Sequence, residues 1–476
     1  MATRNKKKKK LINSQSRNIV NNNMEDVGED RISKLPEPLI HHVLSFLPIK
    51  YAVSTTILSK RWKNLWISMP VFDFLDWRSI TYAPGTEGGD FKLHQETNRF
   101  MDFLDNTLFS NNNASSTIQR FHLNCDNEHF DASRVREWIT ALIKRKVGEL
   151  NLMVNCPRSN LVPVDLFICE SLTILDFDFG KEQVLEFPQS ISLPKLKVLR
   201  LSYVLFKDKA LAQQFFSNCP TLEELVLCRC RRNDLDVLFF SAPRLKFFAL
   251  KGSLRERFCY NLRVEIDAPN LTSIEYGGWL PRDFLAGNFP SLVEADFCHA
   301  RDNKVITLDS LSKFVRLCSN IKLLKTSYKC FQIFGIANVP LTSFPTFNNL
   351  VRLEVDYDYP HFPLPSMNSL VKFLHLSPNL ESLVINQVPF IQEVNGYELT
   401  LNTTPHCLLL CLNSLELRNC KGLPEEMEFA RLFLKHAQVL QLVIFRRGIS
   451  LNSSCEIIQQ LQNYPRASTH CSFQLL

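Results

Sequence analysis

Glycine is scarce in this chain, and long apolar runs are absent. Only 14 of the 476 residues are glycine, and the sequence contains no phosphate-binding GxxxxGK[ST] loop, GxSxG elbow, dinucleotide fingerprint or HExxH helix. The longest apolar stretch, Cys407 to Leu412, is too short to cross a bilayer. We therefore expect no membrane helix, no catalytic centre of these kinds, no cofactor and no metal.

The cysteines lack the pairing expected of a disulfide framework. Fifteen of them are scattered along the chain, and no apolar signal-peptide segment precedes them. This predicts reduced thiols in the cytosol or the nucleus. Cys219, Cys228 and Cys230 lie close together, but zinc sites use paired short spacings and no second pair is near. We expect Cys230 to turn into the core after a strand.

Acidic residues are missing from the first 23 positions, which hold seven basic ones. The whole chain is formally +7, so residues 24–476 carry 48 basic and 48 acidic groups and no net charge. A folded part without a basic excess argues against nucleic-acid binding. Residues 1–29 read as a disordered basic tail, in which Lys6 to Lys10 are either a nuclear import signal or a solvated run.

Residues 30–66 are unusually apolar for their length, reading DRISKLPEPLIHHVLSFLPIKYAVSTTILSKRWKNLW. Helical spacing predicts a helix from Pro36 to about Phe46, a second from Pro48 to Thr56, and a third over Lys60–Trp66 capped by Ser59. Below roughly 70 residues a single core is marginal, so such a segment buries few of these groups by itself. The surplus predicts a partner surface.

The pattern L-P-x-x-L-I-x-x-V-L-S-F-L-P, followed by L-S-x-R-W-x-x-L-W, resembles the F-box. This three-helix motif belongs to substrate receptors of cullin–RING ubiquitin ligases. The resemblance, over residues 30–76, implies docking on a Skp-family adaptor, with three further residues either supporting the core or joining the contact. The docking residues it implies are Leu35, Pro36, Leu39, Ile40, Val43 and Leu44, and the three further ones are Leu47, Leu58 and Trp62.

Residues 77–146 read as a linker with helices. A loop is predicted over 77–95, because it holds Pro84, Gly85, Gly88 and Gly89. An amphipathic helix follows around residues 100–109. A second helix is predicted over 131–146, with Asp131 as its N-cap.

From about residue 147 to 404 the chain repeats a unit of the form L-x-x-L-x-L, whose first positions lie 21 to 32 residues apart. This resembles irregular leucine-rich repeats, in which each unit supplies a short parallel strand and stacks on its neighbours. Outward residues such as Glu223, Glu224, Lys246, Glu275, Glu294, Glu354 and Glu381 should form an exposed ladder. The units are Leu172-Leu175-Phe177, Leu196-Leu199-Leu201, Leu222-Leu225-Leu227, Leu245-Phe248-Leu250, Leu271-Ile274-Tyr276, Leu292-Ala295-Phe297, Ile321-Leu324-Thr326, Leu350-Leu353-Val355, Leu380-Leu383-Ile385, Leu412-Leu415-Leu417 and Val439-Leu442-Ile444.

Residues 405–476 depart from the plain repeat and resemble the FBD region of plant F-box proteins with leucine-rich repeats. We expect an α/β fold: a three-helix F-box, an irregular leucine-rich-repeat solenoid with a curved parallel sheet and helices or loops outside, and a C-terminal α/β cap.

The resemblance implies a non-catalytic receptor subunit of an SCF-type (Skp–cullin–F-box) ubiquitin ligase, which binds an unknown target protein. Its partners would be the adaptor and, through it, the cullin and the RING subunit. Two alternatives are a small-molecule, hormone-like receptor on the same scaffold and a protein-interaction scaffold that never meets a cullin.

Overall fold

The computed structural model describes residues 34–78, 89–109, 117–155, 161–232, 237–252, 263–278, 284–286, 289–299, 319–327, 341–356, 367–388, 403–447 and 454–476. The predicted basic tail, including Lys6 to Lys10, and most of the predicted loop over 77–95 lie outside these ranges.

The described residues form short helices and many short strands. The α-helices are α1 Glu37–Ser45, α2 Ile49–Ser54, α3 Gly89–Phe109, α4 Ala132–Lys144, α5 Lys209–Ser217, α6 Met367–His375, α7 His406–Leu410, α8 Pro424–His436 and α9 Ser454–Gln462. Turns of 3-10 helix cover Thr55–Ile57, Trp62–Ser68, Val164–Ile168 and Leu341–Ser343. The strands are β1 Val71–Phe74, β2 Arg120–Cys125, β3 Glu149–Val154, β4 Ile174–Val184, β5 Val198–Phe206, β6 Glu224–Cys228, β7 Arg231–Arg232, β8 Val237–Ser241, β9 Phe247–Lys251, β10 Arg263–Asp267, β11 Ser273–Gly278, β12 Phe284–Ala286, β13 Glu294–His299, β14 Leu323–Ser327, β15 Arg352–Asp356, β16 Ser382–Asn386, β17 Ser414–Cys420, β18 Leu442–Arg447 and β19 Ser472–Leu475.

One long parallel sheet organises the molecule. Its strands follow the order β1-β2-β3-β4-β5-β6-β9-β11-β13-β14-β15-β16-β17-β18-β19, with β7 beside β5. Strands β8, β10 and β12 form a separate three-stranded parallel sheet. A parallel sheet in sequence order is what stacked leucine-rich repeats produce, because each unit pairs only with its neighbours. The predicted fold class is therefore confirmed.

The sheet begins earlier than the predicted start near residue 147. Strand β1 pairs with β2, and β2 pairs with β3, in the same register as the later repeats. The sequence contains the repeat unit here too, with other apolar residues in place of several leucines. These units are Met69-Phe72-Phe74, Ile118-Phe121-Leu123 and Val147-Leu150-Leu152, all of them buried. Other apolar side chains fill the same inward positions as leucine.

The last predicted unit is one residue out of frame. Val443 and Phe445 are buried, whereas Leu442 pairs with Ser414 and faces outward with Ile444. The correct unit is Leu440-Val443-Phe445. Because successive strand residues point to opposite faces, a slip of one position exchanges the core face for the open one. Strand β19 then extends the sheet beyond the predicted series.

The N-terminal module, residues 34–69, forms two α-helices as predicted, but its third helix differs. Residues Trp62–Ser68 form 3-10 turns rather than an α-helix from Lys60, and the side chain of Ser59 caps nothing. Pro36 and Pro48 precede α1 and α2 and fix the extended backbone there. Helix α3 begins at Gly89, so the last part of the predicted loop over 77–95 is helical.

Helix α4 confirms its predicted cap. The carboxylate of Asp131 accepts a hydrogen bond from the backbone N–H of Ser133 at 2.7 Å. Trp138 and Leu142 are buried on its inner face. The indole N–H of Trp138 donates to Asp105 of α3 at 2.6 Å, which ties the two helices together.

Side chains just before the strands fasten each turn to the previous one. The amide of Asn270 donates to the carbonyl of Pro243 at 2.7 Å, and Asn379 donates to Asn348 at 2.8 Å. These bonds satisfy backbone carbonyl groups that lie before the strands, outside the hydrogen bonds that join the strands of the sheet. Gly148 has another role, because a Cβ there would lie 2.9 Å from the carbonyl oxygen of Gln119 on the neighbouring turn.

Candidate functional site

The N-terminal module exposes an apolar face. Leu39 is 52% exposed, Val43 48%, Leu47 36% and Leu58 56%, and Pro36 is also exposed. Soluble proteins rarely leave so many large apolar groups in water side by side, and such patches mark interaction sites. Pro36, Leu39 and Val43 were predicted to dock, and Leu47 and Leu58 either to dock or to support the core; all five have surface available to a second protein.

Three other residues of the predicted docking set have almost no surface to offer. Ile40 and Leu44 are 0% exposed, and Trp62 is 3% exposed. They pack inside the module, where helix α1 contacts the 3-10 turns Trp62–Ser68. Leu35 is partly buried against the same core. The sequence did not decide whether these residues belong to the core of the module or to the contact with a partner. In the structure all three belong to the core.

Three further large apolar side chains of the module are exposed that the predicted set did not include. Phe46 is 73% exposed, Tyr51 61% and Ile57 86%. Phe46 lies three positions after Val43 and seven after Leu39, so its helical spacing could have placed it on the same face. The ring of His42 meets Phe46 edge to face, with centroids 4.8 Å apart.

The module is fused to the first strands of the sheet. Trp66 stacks on Phe103 of α3 with ring centroids 5.4 Å apart, and Met69 is buried in the same core as Phe72. The carbonyl of Pro70 accepts hydrogen bonds from the backbone N–H groups of Gln119 and Arg120. The apolar face and the sheet therefore belong to one packed body.

A second candidate surface is the open face of the sheet, which lies opposite the core. The strand registers align one middle row across it. The row consists of Asp73, His122, Asn151, Asp176, Arg200, Val226, Ala249, Glu275, Asp296, Lys325, Glu354, Val384, Glu416, Ile444 and Gln474. The predicted ladder residues are all exposed or half-buried. Of these, Glu224, Glu275, Glu294 and Glu354 lie on strands, and Glu223, Lys246 and Glu381 lie one residue before one.

Opposite charges alternate on the early strands of the open face. The guanidinium of Arg200 donates to Glu224 at 2.7 Å and lies 3.5 Å from Asp176. Burial, together with repulsion from Asp178, raises the pKa of Asp176 above its usual value despite the attraction of Arg200. This part of the face is polar and largely paired within itself.

Glu416 is the centre of a larger ion-pair network on the late strands. Its carboxylate lies 2.9 Å from Arg418, 2.5 Å from Arg446 and 3.8 Å from Arg352. Burial alone would raise the pKa of Glu416, but hydrogen bonds from Arg418 and Arg446 outweigh it and lower the pKa. Arg352 and Arg418 also reach Glu354, at 2.8 and 3.5 Å.

A small pocket opens on the same face beside this network, with a volume of about 160 Å³. Val384, which lies in the middle row of this face, gives it an apolar part. The pKa of the Asp296 carboxyl on its rim is raised, first by burial and then by repulsion from Glu275. The pocket is lined by Asp296, Lys325, Thr326, Glu354, Val355, Asp356, Val384, Asn386 and Arg418.

The cysteines after the strands lie where the repeat pattern predicted. The thiol of Cys230 donates to the carbonyl of Leu201 at 3.2 Å, and Cys420 is 1% exposed. Burial raises the pKa of both Cys230 and Cys219 to about 12, so both thiols stay protonated. Within the described ranges, no three His, Cys, Asp or Glu side chains are grouped as a metal site requires.

No helix among the described residues is long and apolar enough to span a bilayer. Three family models match the chain in succession: the F-box domain over residues 32–74, the LRR domain of At1g61320/AtMIF1 over 111–404, and FBD over 402–445. The models follow one another in the order of the sequence motifs.

Curated relatives from Arabidopsis thaliana align over nearly the whole chain. F-box/LRR-repeat protein At3g59200 is 28% identical over 95% of this chain and 89% of its own length. F-box/FBD/LRR-repeat protein At1g78750 is 30% identical over 94% and 96%, respectively. FBD-associated F-box protein At5g22730 is 27% identical over 93% and 94%.

Proposed function

Because this chain belongs to the plant family of F-box proteins with leucine-rich repeats and an FBD region, we propose that it is the substrate-recognition subunit of an SCF-type ubiquitin ligase. The F-box docks a Skp-family adaptor, which joins the cullin and its RING subunit. The repeats hold a target protein. The chain itself makes and breaks no bonds, and it raises the effective concentration of a target lysine near the activated ubiquitin.

The observation that carries this proposal is the exposed apolar face of the N-terminal module. Leu39, Val43 and Leu58 are each about half exposed, while Ile40 and Leu44 beneath them are fully buried. A module that already has its own core has no folding reason to expose such groups. A second protein that covers them recovers the hydrophobic free energy of the exposed area, at about 25 cal/mol per Å².

The described pocket on the open face holds about 160 Å³, whereas sites for drug-sized ligands span roughly 300 to 1,000 Å³, so this pocket does not itself support a small-molecule receptor. The basic run Lys6 to Lys10 supports a further proposal, that the protein works in the nucleus and/or the cytoplasm.

The test is the affinity of the purified full chain for a Skp-family adaptor, measured by calorimetry. The double variant Leu39→Ala/Val43→Ala should bind at least about 100-fold more weakly, because each interface hot spot contributes about 2 kcal/mol or more. Leu410→Ala is the matched control, since Leu410 is 61% exposed but lies on α7, far along the chain. Equal adaptor affinity in the double variant and the control would refute the proposal.

A further inference from the structure

We propose that the open face of the sheet binds a lysine- or arginine-rich segment of the target protein, with the pocket beside Asp296 receiving one cationic side chain. This inference rests on the proposed function, since it names the chemistry of the target that the repeats hold. Two features carry it, namely the charge of the middle row and the shape and polarity of the pocket.

The middle row is acidic although residues 24–476 as a whole carry no net charge. The row contains six carboxylates and two cationic side chains. Charge complementarity on this scale steers a partner of opposite charge and fixes its register. The carboxylates are Asp73, Asp176, Glu275, Asp296, Glu354 and Glu416, and the cations are Arg200 and Lys325.

Most of these carboxylates have a close cation of their own. Asp176 lies near Arg200, Glu275 lies 2.7 Å from Lys251, and Glu416 has three arginines around it. Asp296 differs from them. It pairs in register with Glu275 on one side and Lys325 on the other, and the repulsion from Glu275 exceeds the attraction of Lys325.

The pocket beside Asp296 suits a long cationic side chain. Val384 can pack against an aliphatic stem, while Asp296 and Asp356 supply carboxylate oxygens for its charged end. Lysine and arginine have this amphipathic form. Lys325 and Arg418 also line the pocket. Arg418 is held by Glu354 and Glu416. The volume of about 160 Å³ fits one side chain rather than a folded element.

Ser327, which lies beside the pocket and not in its lining, is a buried polar residue near the proposed site. The residue is 8% exposed, and its hydroxyl has no hydrogen-bond partner among the described residues. Strand alternation in β14 places Ser327 on the face of Lys325, and the register places it beside Asp356, which lines the pocket. A buried hydroxyl without a partner is costly, and an ammonium or guanidinium N–H donated to it would remove that cost.

Asp296 also gains from a cationic partner. Burial and repulsion from Glu275 both raise the pKa of its carboxyl, so the ionised form is held in an unfavourable field. A cation in the pocket would reverse that field. The ionised carboxylate of Asp296 is therefore more stable with a cationic side chain in the pocket than in the unbound protein.

The experiment uses the purified full chain with its adaptor and a fluorescein-labelled nonalysine peptide, with nonaglutamate as the charge control. Asp296→Asn should weaken nonalysine binding by about threefold or more. Lys325→Glu, which removes a cation beside Asp296, should strengthen it by a similar factor. Asp165→Asn is the matched control, because Asp165 is exposed on a 3-10 turn outside the sheet. Nonaglutamate should bind at least about tenfold more weakly.

The paired variants separate a binding effect from a folding effect, since a misfolded Lys325→Glu protein would lose affinity rather than gain it. The inference is overturned if neither Asp296→Asn nor Lys325→Glu changes nonalysine affinity, or if Asp165→Asn changes it equally. Adaptor affinity is measured on the same samples. A wild-type chain that fails to bind the adaptor but shows the peptide pattern refutes the ligase role and leaves the basic-ligand surface standing.

Discussion

The indole ring of Trp66 stacks on the phenyl ring of Phe103, with centroids 5.4 Å apart and planes inclined by 13°. Trp66 closes the N-terminal module and Phe103 lies in α3, the helix that precedes strand β2. This contact therefore joins the N-terminal module to helix α3. It is an aromatic pair worth about 0.5 to 1.5 kcal/mol beyond the area it buries.

Trp66→Ala should loosen this junction. Truncating a buried tryptophan costs about 3 to 5 kcal/mol, and Trp66 is 7% exposed. We expect faster amide hydrogen exchange in α1 and α2, with little change in strands β15–β17, which hydrogen-exchange mass spectrometry can measure. Phe91→Ala is the control, because Phe91 lies on the same helix as Phe103 but is 71% exposed. If α1 and α2 exchange their amide hydrogens as slowly in the Trp66→Ala variant as in the wild type, the stack has no structural role.

Neighbouring residues of α1 should separate stability from binding. Leu44→Ala removes a side chain that is 0% exposed, so the N-terminal module should lose about 2 to 5 kcal/mol of stability. Val43→Ala, at 48% exposure, should leave stability nearly unchanged while weakening adaptor binding. Urea unfolding followed by proteolysis of the module checks the first effect, and adaptor titration checks the second. A stable Leu44→Ala variant that binds the adaptor weakly, together with a destabilised Val43→Ala variant that binds it normally, would contradict these assignments.

Glu416 should make stability depend on pH. The pKa of its carboxyl is lowered in the folded chain, so the folded state binds fewer protons than the unfolded one. Its stabilisation is complete above the unfolded pKa, near 4.3, and is lost as the pH falls through the folded pKa. Glu416→Gln should therefore cost about 1 to 3 kcal/mol at pH 7.

The check on Glu416 is a series of thermal melts of the wild type and the Gln variant between pH 3 and 8. Their Tm difference should be constant at neutral pH and should shrink below about pH 4. Glu294→Gln, an exposed carboxylate on the same sheet, should show no such trend. A Tm difference that grows on acidification would contradict the assigned direction of the pKa.

The thiols of the repeats should be unreactive in the folded chain. Burial raises the pKa of Cys219, Cys230 and Cys407 to about 12. Since the thiolate is the nucleophile, iodoacetamide at pH 8 should leave them unmodified. The denatured chain, in which all three label, is the control, and mass spectrometry gives the extent of labelling. Rapid labelling of native Cys230 would place its thiol outside the core.

The inward positions of the repeat units could be predicted from the sequence because they depend only on the spacing of apolar residues within each unit. Ten of the eleven predicted units have the right frame, and Asp131 caps its helix as predicted. The frame failed at Val439, where apolar residues occupy consecutive positions and both alternations look alike. The first two strands were missed because methionine, isoleucine and phenylalanine replace leucine at most of their inward positions.

The candidate sites required information that spacing does not contain. Helical periodicity groups Leu39, Ile40, Val43 and Leu44 together, and only packing against the 3-10 turns Trp62–Ser68 decides that Ile40 and Leu44 turn inward. The open face depends on lateral register between distant parts of the chain. Arg418 and Glu354, for example, are 64 residues apart and 3.5 Å from each other. Ser59 failed as a cap because the segment adopts 3-10 turns.

The continuous core that runs from Met69 into Phe72 has a geometrical consequence. A receptor jointed by a flexible linker would sweep its cargo through a wide volume, and almost any lysine could meet the ubiquitin donor. Under the proposed function, a chain whose N-terminal helices and first strand share one interior would instead hold its target at a fixed distance from the adaptor. Which lysine is modified would then depend on where along the sheet the cargo is seated.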